Sequence, residues 1–173
     1  IFERSVAMFP VATGTAANSL ALSAITPPFG AIYCHEQAHI HVDECGAPEL
    51  FTGGAKLIPL GGSGAKLTPP VLNAALALEW RGNVHNSQPA VLSLTQATEC
   101  GTVYRIDEIR ALAEIAHSHR LLVHMDGTRF ANALVSLNCS PGDARWRAGV
   151  DVLSLGATKN GAMAAAAVIF FHP

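Results

Sequence analysis

Lys159 sits in GATKNG, directly behind the apolar run VDVLSLG (150–156) and among small residues. A lysine at a strand end with no bulky neighbours leaves room for a flat partner, and partial burial or a nearby cation would favour the free amine that Schiff-base chemistry needs. A solvated loop lysine is the plain alternative. Asp126 ends the run RLLVHMD (120–126) and is followed by Gly127 and Arg129. An acid there can keep a heterocyclic nitrogen protonated, ligate a metal or cap the next turn. Arg129 could reach the same ligand with a bidentate guanidinium. In ATGTAAN (12–18) small residues open a helix, so the N–H groups of Gly14 and Thr15, with the Thr13 and Thr15 hydroxyls, outline an anion site. The same residues also suit an ordinary N-cap, and the segment is neither a Walker loop nor G-x-G-x-x-G.

A second grouping is His35, His39 and His41, with Asp43 and Glu44 beside them. HEQAH (35–39) matches H-E-x-x-H, the pattern of a zinc hydrolase with two histidines on one helical face and the glutamate as base. AIYC (31–34) runs directly into His35, however, which places that histidine at a strand end, so the pair need not share a helix. His117, His119 and His172 read as surface or helix-end residues.

The elements that must position these residues are short apolar runs separated by helical segments. AIYC (31–34), KLIPL (56–60), AVLSLTQ (90–96), RLLVHMD (120–126), VDVLSLG (150–156) and AAVIFF (166–171) read as strands. Helical spacing covers 68–79 and 107–119; in the second, Ile109, Leu112, Ala113 and Ala116 share one face, with Asp107 and Glu108 in the first turn. GGSGAK (61–66) and NCSPGDA (138–144) are breakers within one domain. Such alternation predicts an α/β fold, a mostly parallel sheet with helices on both faces, with ligands at the carboxyl ends of strands.

With 173 residues, half of them apolar, the chain can bury a sizeable core. A net charge of -2 without any basic run argues against nucleic acid and anionic membrane, leaving a small molecule as the expected partner. Cys34, Cys45, Cys100 and Cys139 are too scattered for a zinc ribbon and fit thiols in a reducing, cytoplasmic compartment. No apolar run approaches the roughly 18–20 residues of a bilayer span, and no signal sequence opens the chain. The first residue is not Met and the last follows a strand-like run, so 1–173 reads as a fragment.

Taken together, ATGTAAN, AHIHVDECGAP, SLTQATECGTVY, VHMDGTRFANA and LGATKNG, in this order, resemble the threonine-aldolase and β-eliminating lyase family of fold-type-I pyridoxal-phosphate enzymes. The resemblance covers nearly the whole chain. It implies pyridoxal phosphate as cofactor, joined to Lys159 as a Schiff base, with Asp126 on the pyridine nitrogen and Gly14 and Thr15 on the phosphate. It further implies His39 on the ring face, Arg129 beside cofactor and substrate oxygens, and His85 near the substrate hydroxyl. The implied reaction cleaves threonine, allo-threonine and related β-hydroxy-α-amino acids to glycine and an aldehyde, in a cytoplasmic homodimer or homotetramer. Another β-eliminating lyase, an aminotransferase and an inactive fragment remain alternatives, with a zinc hydrolase behind them. DGTR stands where DGAR is more usual for the family, which puts Thr128 in question as a contact. Family members are longer, so 1–173 would be the cofactor-binding large domain, without an N-terminal segment and a smaller C-terminal domain.

Overall fold

The computed structural model describes residues 2–78 and 81–172. In chain order the elements are β1 (Ala7–Val11), α1 (Gly14–Ile25), β2 (Gly30–His35), α2 (His39–Val42), α3 (Ala47–Phe51), β3 (Lys56–Leu60), α4 (Pro69–Leu76), β4 (Gln88–Thr95), α5 (Ile106–Ser118), β5 (Leu122–Gly127), α6 (Phe130–Leu137), β6 (Val152–Gly156) and β7 (Ala166–Phe170). All six strand-like runs of the sequence become strands within about two residues, and KLIPL does so without change. The helix expected over 68–79 is α4, whose last expected position, 79, lies outside the described residues.

The strands form one sheet in the order β1-β7-β6-β5-β4-β2-β3. The neighbours from β3 through β6 are parallel, and β7 runs antiparallel to both β6 and β1. β1 is an addition to the expected set. Its run AMFPV contains Pro10, which cannot donate to a ladder; the fold tolerates this because β1 is an edge strand, as is β3 with Pro59.

Helices cover both faces, as the alternation predicts. α4 and α5 bury Leu72, Leu76, Ile109, Leu112 and Ala116 against Leu92, Leu94, Val123, Met125 and Leu153. α1 lays Ala17, Ala21 and Leu22 on the other face, against Ile32, Val91, Val152 and Val168. From β2 the chain continues outward to β3, whereas from its neighbour β4 it continues the other way to β5. The carboxyl ends of β2 and β4 therefore flank a switch point, where open α/β sheets place their ligands.

Candidate active site

The loops after β2, β5 and β6 and the amino end of α1 enclose a cavity of about 290 Å³. That is near the lower end of the roughly 300–1,000 Å³ of small-ligand sites. Thr13, Gly14, Thr15, Asn18, His39, Glu44, Thr128, Thr158 and Lys159 line it, with Ala164, Ala165 and Ala166 giving a wall without bulk. Thr13 caps α1 by accepting from the Ala16 N–H at 3.1 Å. First-turn N–H groups have no intrahelical acceptor, so those of Gly14 and Thr15 remain available to an anion.

Asp126 is the last residue but one of β5 and is only 3% exposed. Its Oδ2 accepts from Asn18 Nδ2 at 2.9 Å, and its Oδ1 accepts from the Thr128 N–H at 3.0 Å and from the Thr128 hydroxyl. Asn18 and Thr128 line the cavity, and the acid stands directly behind them. The threonine that departs from DGAR is thus a direct partner of the acid. Its methyl also fills the gap to Gly14 and Gly156: a Cβ at Gly156 would come within 2.8 Å of it.

Lys159 is exposed on a single 3-10 turn, Thr158–Asn160, after β6. The loop is closed behind it by Ala157 N–H to the Ala165 carbonyl at 3.0 Å and Ala165 N–H to the Thr158 hydroxyl at 3.2 Å. Arg129 immediately precedes α6 and shares with Lys159 an adjoining open recess. His39 opens α2, and its Nδ1 lies 2.8 Å from Glu44 Oε1. Ala38 cannot cap this short helix, so Glu99, in the loop after β4, accepts from the His39 N–H at 3.1 Å. Burial pushes the Glu44 and Glu99 carboxyls up, against the hydrogen bonds they accept.

His35 and His39 do not share a helix. His35 closes β2, donating from Nε2 to the Gly62 carbonyl at 2.9 Å while Nδ1 accepts from the Gln37 N–H at 3.0 Å. The two-histidine helical face that H-E-x-x-H chemistry requires is not formed, and no group of three or more metal-capable side chains is present among the described residues. His117, read as a surface or helix-end residue, lies on the last turn of α5 and meets Asp151 at 2.9 Å.

His85 needs correction. It lies exposed in the turn before β4, with its N–H on Asn83 Oδ1, next to a recess lined by Phe29, Val84 and Gln88. Eight residues of β4, roughly 26 Å at the usual rise, separate that end of the sheet from the cavity. Nearness in sequence to the SLTQ strand did not reveal which end of the strand the histidine serves. Asn18, Glu99 and Arg145 are the residues missed, and Glu44, noted in the sequence beside the histidines, carries no assigned role there. Asn18 follows Gly14 by four, one helical turn, a signal that ATGTAAN already carried. Arg145 is fully buried over the Phe130 ring, 3.0 Å from its centroid. Burial drives its pKa well below the usual range, against the attraction of Asp126, and nothing in the sequence marks it.

A family model described as beta-eliminating lyase matches residues 1–173. The chain is 45% identical over 172 residues to the low specificity L-threonine aldolase of Pseudomonas sp., a match that covers 99% of this chain and 49% of that protein. It is 32% identical over 139 residues to alanine racemase TOXG of Cochliobolus carbonum, covering 79% of this chain and 34% of that protein. The solved threonine aldolase of Leishmania major superposes with a TM-score of 0.86 at 28% identity, covering 96% of this chain and 47% of that one. The chain spans about half the length of the aldolases it matches.

Proposed function

The chain belongs to the beta-eliminating lyase family, and from that premise we propose that the protein is an aldolase cleaving L-threonine, L-allo-threonine and related β-hydroxy-α-amino acids to glycine and an aldehyde. The family is one of pyridoxal-phosphate enzymes. The observation that carries the reading is the convergence on one cavity of the α1 amino end, His39 and Lys159, with Asp126 behind Asn18 and Thr128. A phosphate fits the first-turn N–H groups, and the alanine wall leaves space for a flat ring.

In this reading Lys159 holds the cofactor through its amine, Gly14 and Thr15 hold the phosphate, and Asp126 pairs with the ring nitrogen. His39 lies on the ring face and Arg129 faces the substrate oxygens. When bound, the cofactor supplies an electron sink for the pair left at Cα as the Cα–Cβ bond breaks. The substrate hydroxyl must lose its proton in that step, and His39 is the one histidine that lines the cavity among the described residues. Lys159 is exposed here, so excluding water calls for further chain; a homodimer or homotetramer is the working form we infer. Four unpaired cysteines support a cytoplasmic setting. No helix among the described residues is long and apolar enough to cross a membrane. The likeness to an alanine racemase favours one second reading, proton exchange at Cα on the same lysine and acid.

The test is an absorption spectrum of the protein with pyridoxal phosphate beside Lys159→Ala, followed by product analysis with L-threonine. A band near the visible edge, absent from the variant, together with glycine and acetaldehyde as products, is the expected result. A folded protein with no lysine-dependent band overturns the reading. A band accompanied only by inversion at Cα supports the racemase alternative.

A further inference from the structure

Glu44 has no part in the roles assigned above, yet it lines the cavity and is only 4% exposed. Its Oε1 lies 2.8 Å from His39 Nδ1 and accepts from Asn18 Nδ2 at 2.8 Å, while Oε2 is buried without a partner. The other hydrogen of the Asn18 amide goes to Asp126 Oδ2 at 2.9 Å. This arrangement fixes the amide's orientation, because an Asn18 oxygen turned toward two carboxyl groups would be repelled by both. It also fixes the direction of the histidine bond. Oε1 already accepts from Asn18, so any proton that Glu44 carries sits on Oε2, and Oε1 is an acceptor in either state. His39 Nδ1 is therefore the donor, and Nε2 of the neutral ring carries the lone pair.

We propose that Glu44 is a positioning residue: tied to Asp126 through Asn18, it fixes His39 as the Nδ1–H tautomer and so makes Nε2 the acceptor offered to a substrate hydroxyl. The substrate half of this statement rests on the aldolase reading; the tautomer half does not. A site with a fixed acceptor selects for amino acids bearing a β-hydroxyl, since an analogue without one leaves that nitrogen unpaired. Glycine, the product, lacks the hydroxyl and should be indifferent to Glu44.

The tautomer is read in cofactor-free protein by long-range ¹⁵N–¹H correlation of labelled histidines above their titration range, with His39 assigned by its loss in His39→Gln. Nδ1–H is expected in the wild type and in Glu44→Gln, whose amide oxygen still accepts. Glu44→Ala should revert to Nε2–H, the commoner form of a free imidazole side chain. With cofactor, Glu44→Ala should lose on the order of 10- to 100-fold in threonine cleavage, a fraction of what a general base supplies, with rescue by Glu44→Gln and an unchanged spectral response to glycine. An Nε2–H wild type, a Glu44→Ala variant that keeps Nδ1–H, or a glycine response that falls with threonine turnover overturns the proposal. A wild type without a lysine-dependent band defeats the aldolase reading alone, and the tautomer result then decides Glu44's role by itself.

Discussion

The two faces of the sheet are made from alternate residues of the same strands, and they are put to different uses. Toward α4 and α5, Leu92, Leu94, Val123, Met125 and Leu153 join one continuous apolar cluster. Toward α1, the intervening positions of β4, β5 and β6 include Ser93, Thr95, His124, Asp126 and Ser154, all buried. Register sets them side by side: Ser93 pairs with His124, Thr95 with Asp126, and Asp126 with Ser154. Buried polar groups add little stability even when satisfied and cost much when they are not, so this face is organised for placement while the other supplies cohesion. The difference shows how one sheet can be both a rigid base and the floor of a site.

The comparison breaks most easily where the apolar face is cut. Leu112, fully buried on α5, belongs to an apolar cluster none of whose members lines the cavity. Leu112→Ala should cost about 3–4 kcal/mol of unfolding free energy, measured by urea titration, with cofactor affinity per folded molecule unchanged. A fall in that affinity would mean the faces are coupled. The next largest effect belongs to His124, whose ring bridges the hydroxyls of Ser93 at 2.8 Å and Ser154 at 2.9 Å. Burial pushes its pKa down to about 4, against the attraction of Asp126. In the unfolded chain the group titrates near 6.5, so its contribution is full above that pH. It is lost as pH falls from about 6.5 to about 4, because only the unfolded state takes up the proton. At about 1.4 kcal/mol per pH unit over roughly 2.5 units, the loss comes to a little over 3 kcal/mol. His124→Asn should flatten that part of the stability profile relative to the wild type, and parallel profiles would show that the ring is not held neutral.

The strand ends are legible because apolar runs mark them: the sequence alone puts Asp126 and Lys159 at the carboxyl ends of β5 and β6. β1 is not, since Pro10 interrupts its run and only its edge position excuses the missing donor. α6 is also missed. Its sequence FANALVSL spans only eight residues, about two turns, and an apolar run that short is not told from a buried strand by periodicity. α2 depends on Glu99, a cap sixty residues away. The network behind the site is illegible for the same reason. Asn18 meets Glu44 across 26 residues and Asp126 across 108, separations that only the closed sheet brings together. His85 fails in the opposite way, close to the right strand in sequence and at the wrong end of it in space.

The finest test of the two-face distinction is Thr128, where hydroxyl and methyl can be removed separately. The hydroxyl donates to Asp126 Oδ1, and the methyl stands between Gly14 and Gly156, joining the α1 amino end to the end of β6. Thr128→Val keeps the bulk but leaves Asp126 only the backbone N–H on that oxygen. Loss of one hydrogen bond of this kind, about 1 kcal/mol, should weaken cofactor binding roughly fivefold with little change in melting temperature. Thr128→Ser keeps the donor and deletes the methyl, so binding should stay near wild type while stability falls by about 0.8 kcal/mol. Spectral titration and thermal unfolding of both variants separate the two contributions. The reverse pattern, with serine binding poorly and valine well, would make Thr128 a packing residue and the α1 face no different in kind from the face under α4 and α5.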